Sequence, residues 1–110
     1  MYVTYDSSIP TAVNPTPVDR LLLGSPYPNP GRGLVSFRLA LPSADRAQLG
    51  VFDLSGRRVR SLLDENVPAG ERLITWDGRS DNGQTAKSGV YFIRVQTPQG
   101  SASRRVLFLQ

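Results

Sequence analysis

Three oxygen-bearing side chains lie close together in the glycine-rich stretch from residue 77 to residue 83. Asp77, Asp81 and Asn82 stand around Gly78 and Gly83, and carboxylate and amide oxygens are the ligands that Ca²⁺ prefers. The stretch lacks the closing glutamate and the alternate-position aspartates of an EF-hand loop. We therefore favour a loop whose Asp and Asn side chains cap backbone amides while the glycines adopt left-handed conformations. Calcium binding is the alternative.

Trp76 is the single tryptophan of the chain and suggests two roles. An exposed indole could stack on a sugar ring, as in carbohydrate-binding modules built on β-sandwiches. Trp76 also alternates with Thr75 and Asp77 in a strand-like pattern, which favours a core position between two sheets. We predict the core position.

The chain contains neither histidine nor cysteine. The commonest general base, the commonest zinc ligand and the usual partner of a serine nucleophile are therefore missing. Thiolate metal sites and disulfides are excluded as well. The acidic residues are spread mostly over turn-like segments, where Asp commonly bonds to its own backbone. We expect a non-enzymatic module without cofactor or bound metal.

Basic residues outnumber acidic ones, 13 to 9, and Lys87 is the single lysine. Most arginines are scattered, which argues against a nucleic-acid-binding face. Two clusters stand out, Arg57-Arg58-Arg60 and Arg104-Arg105. Charge on an edge strand discourages aggregation between sheets, and this is the interpretation we favour. The alternative is a docking surface for an acidic partner or for lipopolysaccharide phosphates.

The first 19 residues differ from the rest of the chain. They contain Pro10, Pro15 and Pro17 without sustained alternation, which predicts an extended linker. An edge strand around residues 2–5 is the alternative. No basic and apolar signal sequence is present at the start, and no apolar stretch is long enough to span a membrane as a helix. If the protein is exported, we expect the chain to be a fragment of a longer parent.

Short strands separated by turns dominate from residue 20 onward. The pattern predicts an all-β fold, an antiparallel β-sandwich of about seven strands, in one domain from residue 20 to residue 110. The clearest strand is 34–41, where Val35, Phe37, Leu39 and Leu41 face one way. The other expected strands are 20–23, 47–53, 57–63, 72–77, 88–97 and 104–109. We expect 88–97 to be central and any helix to be limited to a turn near residues 43–45.

Several motifs occur in an order that resembles a known family. The motifs are Tyr27-Pro28-Asn29-Pro30, Val51-Phe52-Asp53-Leu54-Ser55-Gly56-Arg57-Arg58-Val59, Trp76-Asp77-Gly78, Ser88-Gly89-Val90-Tyr91-Phe92 and Arg104-Arg105-Val106-Leu107-Phe108-Leu109-Gln110. Together they resemble the type A C-terminal sorting domain of type IX secretion cargo. The related Ig-like domain of the flagellar hook-capping protein shares the middle and late motifs. The resemblance covers residues 21–110 and implies an Ig-like sandwich.

The resemblance also implies a function. A sorting domain is recognised by the type IX translocon in the periplasm, and a cysteine-protease sortase can then cleave it from its upstream cargo domain. The cargo becomes anchored to surface lipopolysaccharide, so the location would be secreted or cell-surface. The residues that would carry recognition are Tyr27, Pro28, Asn29, Pro30, Gly56, Gly89, Val90, Tyr91, Arg104, Arg105, Val106, Leu107, Phe108 and Leu109.

Some features of the implied function stay open. Family members often have lysine in the final strand, where this chain has Arg104 and Arg105, and Arg differs from Lys in hydration and geometry. Tyr27 could be an exposed epitope or could plug the end of the sandwich. We expect cleavage within the proline-rich linker. Alternatives to sorting are an assembly module of the hook-cap type and a carbohydrate-binding module.

Overall fold

The computed structural model describes residues 20–110, which form two packed antiparallel sheets without a helix. The predicted linker or edge segment, residues 1–19, lies outside the described residues. The strands are β1 (Leu22–Leu23), β2 (Val35–Leu41), β3 (Asp45–Phe52), β4 (Arg58–Val67), β5 (Gly70–Trp76), β6 (Gly89–Thr97) and β7 (Gly100–Phe108). The predicted sandwich of seven strands is thus confirmed. Residues 20–110 contain no helix that could cross a membrane.

The seven strands divide into a three-stranded and a four-stranded sheet. Their orders are β1-β2-β5 and β4-β3-β6-β7. Strand β6 pairs with β3 on one side and with β7 on the other, which confirms its predicted central position. Strands β4 and β7 are the two edges of the larger sheet, so both predicted arginine clusters lie on or beside edge strands.

Alternating side chains of both sheets fill the space between them. In β2, Val35, Phe37, Leu39 and Leu41 are buried, as the sequence predicts. Trp76 is 0% exposed and lies in the same core. A buried indole cannot stack on a glycan in solvent, so a carbohydrate-binding role through Trp76 is wrong.

Strands β4 and β7 each extend four residues beyond a predicted bound. Strand β4 continues through Asp64 and Glu65 to Val67, because these residues pair with the first half of β3. Strand β7 begins at Gly100 rather than at Arg104, because its small polar residues pair with the end of β6. Residues 42–44 form a short bend between β2 and β3, and no helical turn occurs at residues 43–45.

Candidate recognition surface at the C-terminal strand

The inner face of the last strand is held by an aromatic cluster. Phe108 is buried, and its ring centroid lies 5.0 Å from that of Trp76 and 6.4 Å from that of Tyr91. Trp76 and Tyr91 meet edge to face at 5.4 Å. The cluster joins β5 of one sheet to β6 and β7 of the other. Three motifs that are distant in sequence therefore meet at one end of the sandwich.

Gly78 lets the loop after β5 approach the last strand closely. Its φ is +77°, and a Cβ atom built there would lie 2.7 Å from Cε1 of Phe108 and 3.1 Å from the carbonyl oxygen of Gly33. The Trp76 indole N–H donates to the Arg79 carbonyl at 3.0 Å, and the Ala86 N–H donates to the Gly78 carbonyl at 2.7 Å. The Trp-Asp-Gly motif is thus a packing element beneath the final strand.

The proline-rich segment Tyr27–Gly31, here called the clamp segment, lies along the outer edge of β7. The Gly31 N–H donates to the Leu107 carbonyl at 2.8 Å, and the Leu109 N–H donates to the Gly31 carbonyl at 2.8 Å. The Asn29 side-chain oxygen accepts the Leu107 N–H at 3.0 Å. Three backbone groups at the end of the chain are therefore paired by the clamp segment.

The same segment also reaches the other sheet. The backbone of Tyr27 exchanges two hydrogen bonds of 2.8 Å with Ser36 of β2. The Tyr27 side chain is 77% exposed, so Tyr27 does not plug the end of the sandwich. Leu107, on the neighbouring edge strand, is 37% exposed. The Tyr27 side chain is thus accessible beside β2, and the Leu107 side chain is accessible on β7 of the other sheet.

The predicted residues of β6 join this region through the strand ladder. Gly89 pairs with Phe108, Val90 with Leu107 and Tyr91 with Val106. The Tyr91 hydroxyl donates to the Lys87 carbonyl at 2.6 Å. Burial raises the pKa of the Tyr91 phenol, and the negative charge of Asp53 raises it further. A neutral Tyr91 phenol therefore serves as a structural donor at neutral pH.

Gly56 lies apart from the clamp segment, in the turn between β3 and β4. Its φ is +87°, as a short hairpin turn requires. Within this turn the Asp53 carboxylate accepts hydrogen bonds from the Ser55 hydroxyl at 2.6 Å and from the Arg57 N–H at 3.0 Å. These bonds hold the pKa of Asp53 below its usual value. Gly56 shapes a turn and makes no hydrogen bond to β7 or the clamp segment.

The two arginines of the last strand have different environments. The Arg104 guanidinium Nε–H donates to the Leu23 carbonyl at 2.7 Å and so links β7 to β1 of the other sheet. Arg105 lies on the outer face of β7, paired with Phe92. The sequence predicted a common role for this pair, whereas the structure gives Arg104 a bridging position and leaves only Arg105 on the outer face.

The other arginine cluster is paired with nearby carboxylates. Arg57 lies 3.6 Å from Asp53, Arg58 lies 3.5 Å from Asp81, and Arg60 lies 3.2 Å from Asp77. Because these ion pairs are largely exposed, each contributes little to stability, up to about 1 kcal/mol. The Arg58 and Arg60 pairs join the loop of residues 77–83 to the start of β4.

The oxygen atoms of this loop mostly cap backbone amides. Asp77 accepts the Arg79 N–H at 3.1 Å, Asp81 accepts the Ser61 N–H at 2.9 Å, and Asn82 accepts the Gln84 N–H at 3.1 Å. Gly78 and Gly83 have φ values of +77° and +88°. The predicted capping loop is confirmed. Within residues 20–110, no three acidic side chains are grouped as a metal site requires.

Sequence reasoning missed Gly31, although its position between a proline and an arginine could have indicated a tight approach. Gly31 is buried, and a Cβ atom there would collide with the Val35 side chain. Ser88 was also missed: its hydroxyl accepts the Gln110 N–H at 2.7 Å. Hydrogen bonds between such distant residues leave no local sequence signal.

Two antiparallel sheets with this order and a core between them define an Ig-like β-sandwich. The chain belongs to the FlgD Ig-like domain family, whose model matches residues 29–101. Curated relatives include the basal-body rod modification protein FlgD of Salmonella typhimurium (strain LT2) and that of Salmonella typhi. Each is 35% identical over 57 residues, which are 52% of this chain and 25% of the relative. The chain thus spans about a quarter of the length of these relatives.

Solved structures share the fold. Dimeric latent PorU from Porphyromonas gingivalis superposes with a TM-score of 0.62 at 24% identity, over 81% of this chain and 9% of PorU. PorZ, an essential surface component of the type IX secretion system of the same organism, has a TM-score of 0.52 at 23% identity, over 84% of this chain and 12% of PorZ. FlgD from P. aeruginosa has a TM-score of 0.56 at 21% identity, over 84% and 77% of the two chains.

Proposed function

We propose that this chain is the C-terminal sorting and surface-attachment module of a larger exported protein, recognised by the type IX secretion machinery. The observation that carries the proposal is the contact between the clamp segment and the end of β7. Two motifs of the sorting-domain resemblance, 78 residues apart at Asn29 and Leu107, form one surface. A receptor for this surface would recognise the folded domain rather than a linear peptide.

The proposed route passes through the periplasm to the cell surface. The translocon would engage the exposed Tyr27 and Leu107 side chains while β7 stays paired within the sheet. A sortase would then cleave in the linker of residues 1–19 and attach the upstream cargo to lipopolysaccharide. PorZ, which contains a region of the same fold, is described as a surface component of that secretion system.

A secretion assay tests this proposal directly. Residues 18–110 are fused behind a Sec-targeted fluorescent reporter in a type IX-competent bacterium, and surface fluorescence is measured for the wild type, Tyr27→Ala, Leu107→Asn and Leu22→Asn. Leu22 is a matched control because it is an exposed leucine on the other sheet. We expect display of the wild type and Leu22→Asn, with Tyr27→Ala and Leu107→Asn retained although folded. Periplasmic retention of the wild type would refute the proposal.

A second candidate function is an assembly module of the flagellar hook-cap type. The family match and the 35% identity to FlgD favour it. Leu34 and Leu73 are large exposed apolar side chains at and near the three-stranded sheet, where a second copy of the chain could pack. Sedimentation velocity tests this reading: assembly predicts self-association with rising concentration, reduced in Leu73→Asn. A monomer at all concentrations would exclude self-association through this sheet.

A further inference from the structure

The outer face of the four-stranded sheet carries an ordered set of side chains. Strand register aligns the outward-facing residues of β4, β3, β6 and β7 in three rows. The first row is Arg58, Phe52, Phe92, Arg105; the second is Ser61, Gly50, Arg94, Ser103; the third is Asp64, Gln48, Gln96, Ser101. Phe52 and Phe92 therefore occupy neighbouring positions between two arginines, next to a row with a central arginine. These three rows are called the outer face below.

Small residues in the second row open the surface on both sides of Arg94. One depression of about 300 Å³ lies over Gly50, and another of about 430 Å³ lies over Ser101 and Ser103. A Cβ atom at Gly50 would lie 3.3 Å from the Phe52 ring and 3.0 Å from the Arg60 carbonyl oxygen. A side chain at position 50 would displace the Phe52 ring or fill the first depression. Gly50 thus lets the Phe52 ring lie close to the sheet backbone, and Arg94 in the same row is exposed.

The outer face has an excess of positive charge. Asp64 is already paired with Arg46 at 2.6 Å, and Arg58 is paired with Asp81 at 3.5 Å. Arg94 and Arg105 are exposed, and among residues 20–110 neither has an ion-pair partner. A guanidinium binds a carboxylate or phosphate through two parallel hydrogen bonds. Two such donors on one sheet face are complementary to an anionic partner.

The other side chains of the outer face indicate which kind of molecule carries the anionic groups. The central strands use their backbone N–H and C=O groups in the sheet, so a partner on this face can bind side chains alone. The side chains offered are amides at Gln48 and Gln96, hydroxyls at Ser61 and Ser103, and the two half-buried phenyl rings. Amides and hydroxyls match sugar hydroxyls, and a phenyl ring offers an apolar surface to the C–H groups of a sugar ring.

We propose that the outer face binds a linear acidic polysaccharide, with Arg94 and Arg105 pairing its anionic groups and Phe52 and Phe92 contacting its sugar rings. The Trp76 ring takes no part, because it is buried on the other side of the sheet. The proposed sorting surface at Tyr27 and Leu107 is not required for this binding. An in vitro assay on the purified domain therefore tests it separately from secretion.

The first experiment compares two probes with the same sugar backbone, one anionic and one uncharged. An oligogalacturonate of defined length and its fully methyl-esterified form are titrated into isotopically labelled protein, and amide shifts are followed by NMR. We expect saturable shifts on β3, β6 and β7 with the acid, weaker binding at higher salt, and little effect with the ester. No shift with the acid, or equal affinity for both probes, would overturn the proposal.

Matched variants locate the site. Arg94→Gln combined with Arg105→Gln should weaken oligogalacturonate binding about tenfold, which is the scale of two exposed ion pairs. Arg32→Gln combined with Arg38→Gln removes the same charge from residues outside this face and should leave the affinity unchanged. An equal loss of oligogalacturonate affinity in both double variants would show non-specific charge attraction and would refute the proposed site.

A peptide competitor decides between partner classes. Polyglutamate carries carboxylates without sugar rings, so we expect it to bind more weakly than oligogalacturonate and to give no shifts around Phe52 and Phe92. Phe92→Leu keeps an apolar side chain and should reduce oligogalacturonate affinity while leaving polyglutamate affinity unchanged. Equal binding of both polymers, unaffected by Phe92→Leu, would assign the face to acidic peptides and overturn the polysaccharide proposal.

Discussion

Gly78, in the loop after β5, lies directly against the Phe108 ring of the last strand. Its positive φ and the Phe108 ring beside it both exclude a side chain. We expect Gly78→Ala to lower the free energy of unfolding by about 3 kcal/mol, because backbone strain and overpacking add. Gly83→Ala is the control: Gly83 has a φ of +88° but open space around it, so strain alone should cost about 1 kcal/mol. Urea unfolding measures both, and equal losses would contradict the role of Phe108.

Asp53 makes the free energy of unfolding depend on pH in the acidic range. Hydrogen bonds from the Ser55 hydroxyl and the Arg57 amide lower the pKa of Asp53 below its usual value in the folded state. The ionised carboxylate therefore stabilises the fold above the unfolded-state pKa of about 3.9, and this contribution disappears as the pH falls through the folded-state pKa. We expect Asp53→Asn to lose less stability than the wild type on acidification below about pH 4.

Urea midpoints over a series of acidic buffers measure this difference. Ser55→Ala provides an independent check, because it removes the first donor to Asp53 while keeping the carboxylate. Its acid dependence should lie between those of the wild type and Asp53→Asn. Parallel curves for all three proteins would show that Asp53 does not contribute to the acid dependence.

At the scale of elements, the clamp segment closes the outer edge at the end of β7. Replacement of Asn29 by Ala leaves the Leu107 N–H without its acceptor, and we expect a loss of about 1 kcal/mol. Hydrogen exchange should accelerate at the Leu107 and Leu109 amides. Exchange at the Val95 amide, in the centre of the sheet, should change only as much as the global free energy of unfolding changes. Asn82→Ala removes the acceptor of the Gln84 N–H and of the Ser80 hydroxyl in an exposed loop and should leave the Leu107 and Leu109 amides protected. Unchanged exchange at Leu107 in Asn29→Ala would contradict the clamp.

A pattern of alternating apolar and polar residues predicts a strand only where those residues themselves favour β-structure. Val35 to Leu41 alternates between buried and outward positions, and β2 was predicted within one residue of its bounds. The start of β7, Gly100 to Ser103, is small and polar, so its local propensity for a strand is low. It becomes a strand because β6 supplies a partner for every residue. Tertiary pairing of this kind has no counterpart in a local pattern.

The hydrogen bonds of the candidate site could not be predicted from a local sequence pattern either. The motifs at Tyr27 and Leu107 were identified from resemblance, but their hydrogen bonds join residues too distant in sequence for a pattern to connect them. The different environments of Arg104 and Arg105 follow from strand alternation. The sequence could have distinguished the roles of Arg104 and Arg105 only if two facts were known: which residues of the last strand face the core, and where β1 lies.

At the scale of the whole molecule, the last seven residues belong to the core as well as to the surface. Val106 and Phe108 are fully buried, and Phe108 packs on Trp76. Removal of a buried Phe alone costs about 3–5 kcal/mol, and a domain of this size has only about 5–15 kcal/mol in total. We therefore expect deletion of residues 104–110 to abolish cooperative unfolding and the near-ultraviolet circular dichroism of Trp76. Deletion of Gln110 alone, which removes one bond to Ser88, should preserve both.

Deletion of residues 104–110 cannot by itself test sorting. A truncation before Arg104 would unfold the domain, so its retention in the periplasm would follow equally from a lost signal and from a lost fold. Tyr27→Ala and Leu107→Asn change exposed side chains and leave the Phe108 cluster intact, and so separate the two causes. If the protein without residues 104–110 still unfolds cooperatively and keeps its Trp76 signal, the last strand is dispensable for folding, and truncation becomes a valid test of recognition.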